Sequence, residues 1–329
     1  MHMIQVHELT KNYARATAVD HISFEVEKGQ IVGFLGPNGA GKTTTMRMLT
    51  CFLPPTAGTA TVAGFDVLEK PMEVKKRIGY LPETPPLYLE MHAEEYLSFV
   101  GKLKGLSGAE LAKRIDYVCG RCAIADVRKK LLGKLSKGYR QRVGLAQAII
   151  HNPDVLILDE PTAGLDPKQI NETRDLIKSL AGDHTIILST HILSEVEQTC
   201  QQVLIINKGK LVATDSVQNL QNRVRGTESL LVEVAGRNGA LDSTAVQHRL
   251  GQVGAVSRVL LRESRDNRGI FEIESQKGFL RGDLARAVVE SGWDLNELRP
   301  TAVSLEEIFL QLTGAEATSA ATASRGDRA

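Results

Sequence analysis

An α/β domain on a mixed, largely parallel sheet, followed by a small α+β domain, is the fold class this sequence predicts. Three observations carry it. Continuous apolar runs of strand length alternate with helical periodicity over residues 1–217. Residues 85–152 break that alternation and read as successive helices without a clear strand. From residue 218 the order becomes strand, helix, strand, strand, helix, strand.

The elements follow in chain order. "MIQVHEL" and "HISFEVEKG" alternate apolar and polar residues, as half-buried strands do, and place an antiparallel portion near the N-terminus. "QIVGFLG" is a short apolar strand ending in glycine, and "TTTMRMLTCFL" after it reads as a helix. The stretch "HAEEYLSFVGKLKGLSGAELAKRIDYVCGRCAI" belongs to a helical subdomain inserted into the sheet domain. "VLILDE", "TIILST" and "VLIINKG" are apolar throughout, like strands buried on both faces, with helical periodicity from Ile170 to Ala181 between them. Beyond residue 217, "SLLVEVAG", "AVSRVLLRE", "GIFEIES" and "WDLNELRP" read as strands, and "STAVQHRLGQV" and "KGFLRGDLARAVVESG" as helices. That order is the split-βαβ, ferredoxin-like pattern. An accessory α+β domain over 218–314 therefore ends in the amphipathic helix "SLEEIFLQLTG". The small, polar tail 315–329 is expected to be disordered, and its Arg-Gly-Asp is a chance match.

Composition bounds the function. With 329 residues there is room for about two domains of ~150 residues each. A formal net charge of +1 gives no global field toward nucleic acid or anionic lipid, so any basic segment must be judged by its geometry. No window reaches the ~18 apolar residues of a membrane span, and "MHMIQVHELT" lacks the apolar core of a signal peptide. The chain is expected to stay in the cytoplasm and to meet a membrane only through a partner. Cys119 and Cys122 form a C-x-x-C, which suits a redox pair or half a zinc site, but no second pair completes a site. Small buried side chains in a helical region are the reading adopted.

"GPNGAGKTT" fits G-x-x-x-x-G-K-[ST] between a strand and a helix, the context that gives this motif its meaning. Gly36, Pro37, Asn38, Gly39, Ala40, Gly41, Lys42, Thr43 and Thr44 are the expected phosphate-binding residues. The glycines let backbone N–H groups curl around phosphate oxygens, and the helix start adds positive potential. Lys42 brings a cation to the β- and γ-phosphates and Thr43 a hydroxyl to Mg²⁺. "VLILDE" supplies the partner strand: Asp159 at its end suits Mg²⁺ through water, and Glu160 suits polarisation of an attacking water. Alone, two acids at a strand end are a solvated turn; beside a phosphate loop they indicate nucleotide hydrolysis. "INKGK" has Lys210 where a guanine-reading motif needs aspartate, and no acceptor site for a small-molecule kinase is visible.

"KLSKGYRQRVGLAQ" is either a nucleic-acid patch or a helix start aimed at a phosphate. No aromatic stacking platform accompanies its cations. With it, five motifs stand in order: "GPNGAGKTT", "LPETPPLY", "LSKGYRQRV", "VLILDEPTAGLDP" and "STH". In this the chain resembles the ATP-binding subunits of ABC transporters over residues 3–217. The resemblance favours the phosphate reading: Ser136 caps a helix whose start meets the γ-phosphate of ATP held by a second subunit, and Gly138 permits close approach. It implies His191 as the switch histidine, Asp166 in a loop crossing between subunits, and Tyr13 stacking on adenine. Two departures stand out. Lys137 and Tyr139 replace a glycine and a glutamine of the family's Leu-Ser-Gly-Gly-Gln, and Glu83 stands where the family has a Mg²⁺-contacting glutamine.

The resemblance further implies ATP and Mg²⁺ as cofactors and hydrolysis coupled to transport. Each site needs elements from opposite subunits, so the expected unit is a homodimer or a dimer with a homologous ATPase subunit. Separate membrane permease subunits are implied, with the chain peripheral at the inner face of the cell membrane. The closing "SLEEIFLQLTG" resembles exporter-type subunits, among them those of drug efflux, gliding motility and copper-enzyme maturation. The rival reading is a soluble ABC ATPase acting on nucleic acid or the ribosome. Such proteins usually carry two ATPase halves or long coiled coils, which are not seen here.

Overall fold

A computed structural model of the chain describes residues 2–217, 219, 227–237, 239, 241–254, 256–265, 267–276, 281–300 and 309. The chain divides into two compact units, Met1–Val217 and Gln218–Ala329. The helix expected over 304–314 and the tail 315–329 lie outside the described residues, apart from the single residue Phe309.

The first unit holds two sheets. One is antiparallel, with strands β1 (His2–Tyr13), β2 (Ala16–Glu27), β4 (Ala57–Val62) and β5 (Phe65–Asp66) in the order β2-β1-β4-β5. Ile4 and Val6 of β1 are buried between exposed Gln5 and His7, the period-2 signature of a sheet covered on one face, and a register shift between Val6 and Leu9 brings Leu9 back to the buried side. The other sheet is mixed and has the order β10-β9-β3-β8-β7-β6. Its strands are β3 (Ile31–Leu35), β6 (Ile78–Leu81), β7 (Val155–Asp159), β8 (Thr185–Thr190), β9 (Gln202–Asn207) and β10 (Lys210–Ser216). All of these run parallel except β10, which pairs antiparallel with β9. Every residue of β3, β7 and β8 is buried, which is why these strands are apolar without alternation.

Helices α1 (Lys42–Leu49), α2 (Pro71–Arg77), α3 (Ala93–Leu103), α4 (Gly108–Arg121), α5 (Lys137–Ile149), α6 (Pro167–Ser179) and α7 (Leu193–Thr199) complete the unit. α3, α4 and α5 pack together with two short 3-10 turns as the helical subdomain. α1 is shorter than the apolar run after the phosphate loop suggests. Cys51 takes a left-handed φ of 56°, and the N–H groups of Phe52 and Leu53 turn back onto the Arg47 carbonyl. β4, β5, β6 and β10 were not legible in the sequence. β4 is "AGTATV", and β6 has four residues, too few for a period to show. Cys119 and Cys122 are free and buried, and burial pushes the Cys122 thiol up to about 12, so it stays protonated and unreactive.

In the second unit, β11 (Thr227–Gly236), α8 (Ser243–Gly251), β12 (Val256–Arg265), β13 (Arg268–Gln276), α9 (Arg281–Glu290) and β14 (Trp293–Pro300) follow one another. β11 lies antiparallel between β13 and β14, and β12 pairs with β13, giving the order β12-β13-β11-β14 of a split βαβ sheet. Leu230, Val232, Val234, Phe271 and Ile273 of the sheet meet Val246 and Leu250 of α8 and Leu284 and Val288 of α9 in one core.

Two predictions follow from this packing. A Cβ at Gly79 would lie 2.1 Å from the Ala148 carbonyl oxygen of α5, backbone against backbone. Gly79→Ala should therefore cost about 3 kcal/mol, the upper end of ordinary overpacking, in denaturant unfolding. His151, just beyond α5, is hydrogen-bonded through Nε2 to the Ile78 carbonyl (3.0 Å), and burial, with Lys104 nearby, pushes its pKa from 6.5 down to about 4. The unfolded chain thus takes up this proton at a higher pH than the native one. The stability that neutral His151 confers is full above pH 6.5 and is lost as pH falls toward 4. Between pH 7 and pH 5 the wild type should lose more unfolding free energy than His151→Gln.

Candidate active site

Register brings the site together. Leu35 at the end of β3 pairs with Thr190 of β8, and Asp159 at the end of β7 pairs with Ser189 of β8. The loops leaving these three parallel strands must emerge side by side at their carboxyl ends, where open α/β sheets bind ligands.

The loop after β3 wraps the start of α1. Gly41 caps the helix with φ 109°, and no side chain caps it, so its first N–H groups remain open to a ligand. A Cβ at Gly36 would stand 2.5 Å from the Ile206 carbonyl oxygen, so only glycine allows this approach. Lys42 is 6% exposed and folds back on its own loop, donating to the Gly36 carbonyl at 2.8 Å and the Pro37 carbonyl at 3.3 Å. Pro37 also accepts from the Ala40 N–H, and buried Ala40 accepts from the Gly209 N–H (2.9 Å), which ties the loop to the turn after β9. Thr43 and Thr44 are half-buried at the helix start.

Two carboxylates stand opposite. Asp159 is buried; its Oδ1 accepts the Ser189 hydroxyl, while its buried Oδ2 has no hydrogen-bond partner among the described residues. An orphaned buried carboxylate oxygen is costly, and a cation or its bound water would satisfy it. Glu160 departs into the left-handed region, φ 49°, at a cost of about 1–2 kcal/mol. Its N–H is held by the Ser189 carbonyl (3.1 Å) and hydroxyl (3.2 Å), which offsets that strain. The bent backbone aims the carboxylate between Lys42 and His191. Oε1 lies 3.4 Å from Lys42 Nζ, and Oε2 lies 2.9 Å from His191 Nδ1. Glu160 and Lys42 are nearly excluded from water, whereas the His191 side chain is 48% exposed.

A cleft of about 390 Å³ joins these groups, lined by Asn38, Gly39, Gly41, Lys42, Thr43, Thr44, Glu83, Glu160, Ala163 and His191. Glu83, exposed in the loop after β6, thus borders the same space as the phosphate loop. Ser189 is the site residue that sequence reasoning missed. Only its place in "STH" hinted at it, and its role depends on the pairing with Asp159.

The remaining expected residues do not line this cleft. Ser136 and Gly138 begin α5, and Asp166 caps α6. Ser136 Oγ accepts from the Tyr139 N–H (3.3 Å) and Asp166 Oδ1 from the Gln169 N–H (2.9 Å). These helix starts touch: a Cβ at Gly138 would meet the Gln169 side chain at 2.7 Å, and Lys137 Nζ lies against Gly164. Tyr139 hydrogen-bonds Asp126 (2.8 Å). Tyr13, half-exposed at the end of β1, lies near the Lys11 ammonium, 5.7 Å from its ring centre.

The family model described as "ABC transporter" matches residues 19–163. A model for an "AAA domain, putative AbiEii toxin" matches residues 132–197. The chain is 37% identical over 321 residues to the bacitracin transport ATP-binding protein BcrA of Bacillus licheniformis, covering 95% of this chain and 97% of that protein. It is 33% identical over 313 residues to the daunorubicin resistance ATP-binding protein DrrA3 of Streptomyces coeruleorubidus, covering 94% and 96%. Among solved structures, an ATP-binding subunit of an ABC transporter superposes with a TM-score of 0.63 at 28% identity, over 68% of this chain and 93% of that one. The ATP-binding cassette MJ0796, captured as a dimer with ADP and phosphate, has the same fold, with a TM-score of 0.61 at 22% identity over 65% and 99%.

Gly36→Ala should weaken nucleotide binding by about tenfold or more, because the added methyl drives the loop off the Ile206 carbonyl. Titration with a fluorescent ATP analogue measures this directly.

Proposed function

This chain belongs to the ATP-binding, ATP-hydrolysing subunits of ABC transporters, and from that premise we propose that two ATPase subunits close around MgATP to drive a separate exporter permease. The carrying observation is the separation of two half-sites within one chain. The phosphate loop, Glu83, Glu160 and His191 border one cleft, with Asp159 buried at the strand end next to Glu160, whereas Ser136 and Gly138 sit at a different helix start. A second copy, or a homologous subunit, offers its own helix start to the open side of the cleft.

In this reading Lys42 leaves Glu160 and the Gly36 carbonyl when the β- and γ-phosphates arrive, and exchanges one anionic partner for another. Glu160 Oε1 is thereby freed to take the proton of a water that attacks the γ-phosphorus as ADP departs. His191, bonded to Oε2, holds the carboxylate and contacts the γ-phosphate. Bound Mg²⁺ neutralises charge on the phosphate oxygens; Thr43, Asp159 and Glu83 would hold it, and the unpartnered Asp159 Oδ2 fits that use. The partner's signature helix start meets the γ-phosphate through the counterparts of Ser136 and Gly138. Asp166 belongs to the loop that crosses between subunits, and Tyr13 presents its ring to adenine. Lys137 and Tyr139 are already engaged within the chain, with Gly164 and Asp126, so they play a different part from the residues they replace.

Among the described residues no helix is long and apolar enough to cross a membrane. A separate permease is supported by a largely apolar groove of about 480 Å³, where Phe52, 74% exposed, stands beside Tyr80, Val100 and His151. Such exposure of a large ring suits a partner surface. Two relatives, a bacitracin transport and a daunorubicin resistance ATP-binding protein, support export, and in this reading the chain works at the inner face of the membrane.

Glu160→Gln should slow hydrolysis by about 10²- to 10⁴-fold and accumulate an ATP-bound dimer in size-exclusion chromatography with light scattering. A variant that stays monomeric in ATP overturns the shared-site reading. Affinity capture of the tagged chain from native membranes should bring down a polytopic membrane protein in stoichiometric amount. A ribosomal or nucleic-acid partner in its place overturns the transport reading.

A further inference from the structure

We propose that Glu195 is a positioning residue for hydrolysis, a buried latch that fixes Glu160 relative to His191. The inference rests on the reading of those two side chains as the water-activating pair.

Glu195, in the first turn of α7, is 2% exposed. A carboxylate that far from water needs donors. It has one on each oxygen, one from the turn after β7 and one from the end of β8. The Thr162 hydroxyl donates to Oε1 (2.5 Å) and the Thr190 hydroxyl donates to Oε2 (2.8 Å). The Thr190 assignment follows from its second bond: its Oγ1 already accepts the Ile192 N–H at 3.0 Å, so its own proton turns to Glu195. Both threonines are buried, at 3% and 0% exposure.

The connectivity gives this bridge its meaning. Thr162 lies two residues after Glu160, and Thr190 immediately precedes His191. The path Glu160–Thr162–Glu195–Thr190–His191 is closed by the 2.9 Å contact of His191 with Glu160. One link of this ring faces solvent through the half-exposed histidine; the links through Glu195 do not. An exposed hydrogen bond between mobile side chains does not hold a catalytic distance, whereas two charge-assisted bonds in a dry site do. The same latch reaches the nucleotide from two more sides. Thr190 pairs with Leu35 just before the phosphate loop, and Thr162 anchors the turn to Leu165 (3.2 Å), next to the crossing residue Asp166. Nothing in the residue order makes Glu195 a candidate, because it sits in a helix behind the cleft and does not line it.

Steady-state hydrolysis by the full-length chain tests this. Glu195→Gln keeps the shape but turns one acceptor oxygen into a donor facing a hydroxyl. It should lower kcat by about 10- to 100-fold, the loss expected from misplacing reacting groups by an ångström, with KM for ATP within about twofold of wild type. Thr162→Val and Thr190→Val each remove one hydroxyl at nearly constant volume and should act in the same direction, and they decide the matter if Glu195→Gln does not fold. Combined with His191→Ala, Glu195→Gln should add nothing further to the loss in kcat, since both act through one geometry. Wild-type kcat in Glu195→Gln or in both threonine variants overturns the latch. So does a loss that multiplies with that of His191→Ala, or one that falls equally on ATP affinity and thermal midpoint. Glu160→Gln is the control on the underlying reading. If it hydrolyses normally, the assignment of the pair fails; if it is inactive while Glu195→Gln is normal, only the latch fails.

Discussion

Leu35, Asp159 and Thr190 close three parallel strands that lie in one register, and the dry sheet imposing this register is the constraint on which the site depends. Each of these strands is buried along its whole length, so a slip by one residue would turn every side chain to the opposite face. The register therefore positions the phosphate loop, the acidic pair and His191 to within the tolerance of hydrogen bonds. Packing of small groups defends it from both sides. Val196 and Cys200 lie against Gly33, and Ala148 lies against Gly79, where no side chain would fit.

On that frame the charges balance locally. Glu160 and Lys42 are both almost fully buried, and burial of either alone would cost several kcal/mol. They compensate one another across 3.4 Å, with His191 completing the carboxylate's partners. This is a resting arrangement that a polyphosphate can enter by substitution, because phosphate oxygens replace one set of Lys42 acceptors with another. The strained φ of Glu160 belongs to the same arrangement, since it directs the carboxylate across the cleft while the main chain stays bonded to Ser189.

The second helix start is built on different physics. Ser136 and Asp166 cap neighbouring helices, and Gly138 lets Gln169 close the gap between them. Ala163 lines the cleft while Gly164, next in the chain, meets Lys137, so the turn after Glu160 links the cleft to the start of α5.

Much of this was legible from residue order alone. The α/β class, the phosphate loop and the membership in the ABC family follow from local patterns, because a Gly-rich turn between strand and helix specifies its chemistry within a dozen residues and gives the apolar strand ending in two acids its meaning. The βαββαβ order of the second unit was legible for the same reason, and its sheet order 2-3-1-4 is the one such an order packs into. The strands β4, β5, β6 and β10 were not, because their pairing partners supply what their own residue patterns lack. Tertiary structure alone decided that Ser189 holds both Asp159 and Glu160, that Lys42 rests on Glu160, and that Glu195 joins two threonines 28 residues apart in sequence. These are contacts between strand ends distant in the chain. They exist only once the buried register of the sheet has chosen which residues become neighbours.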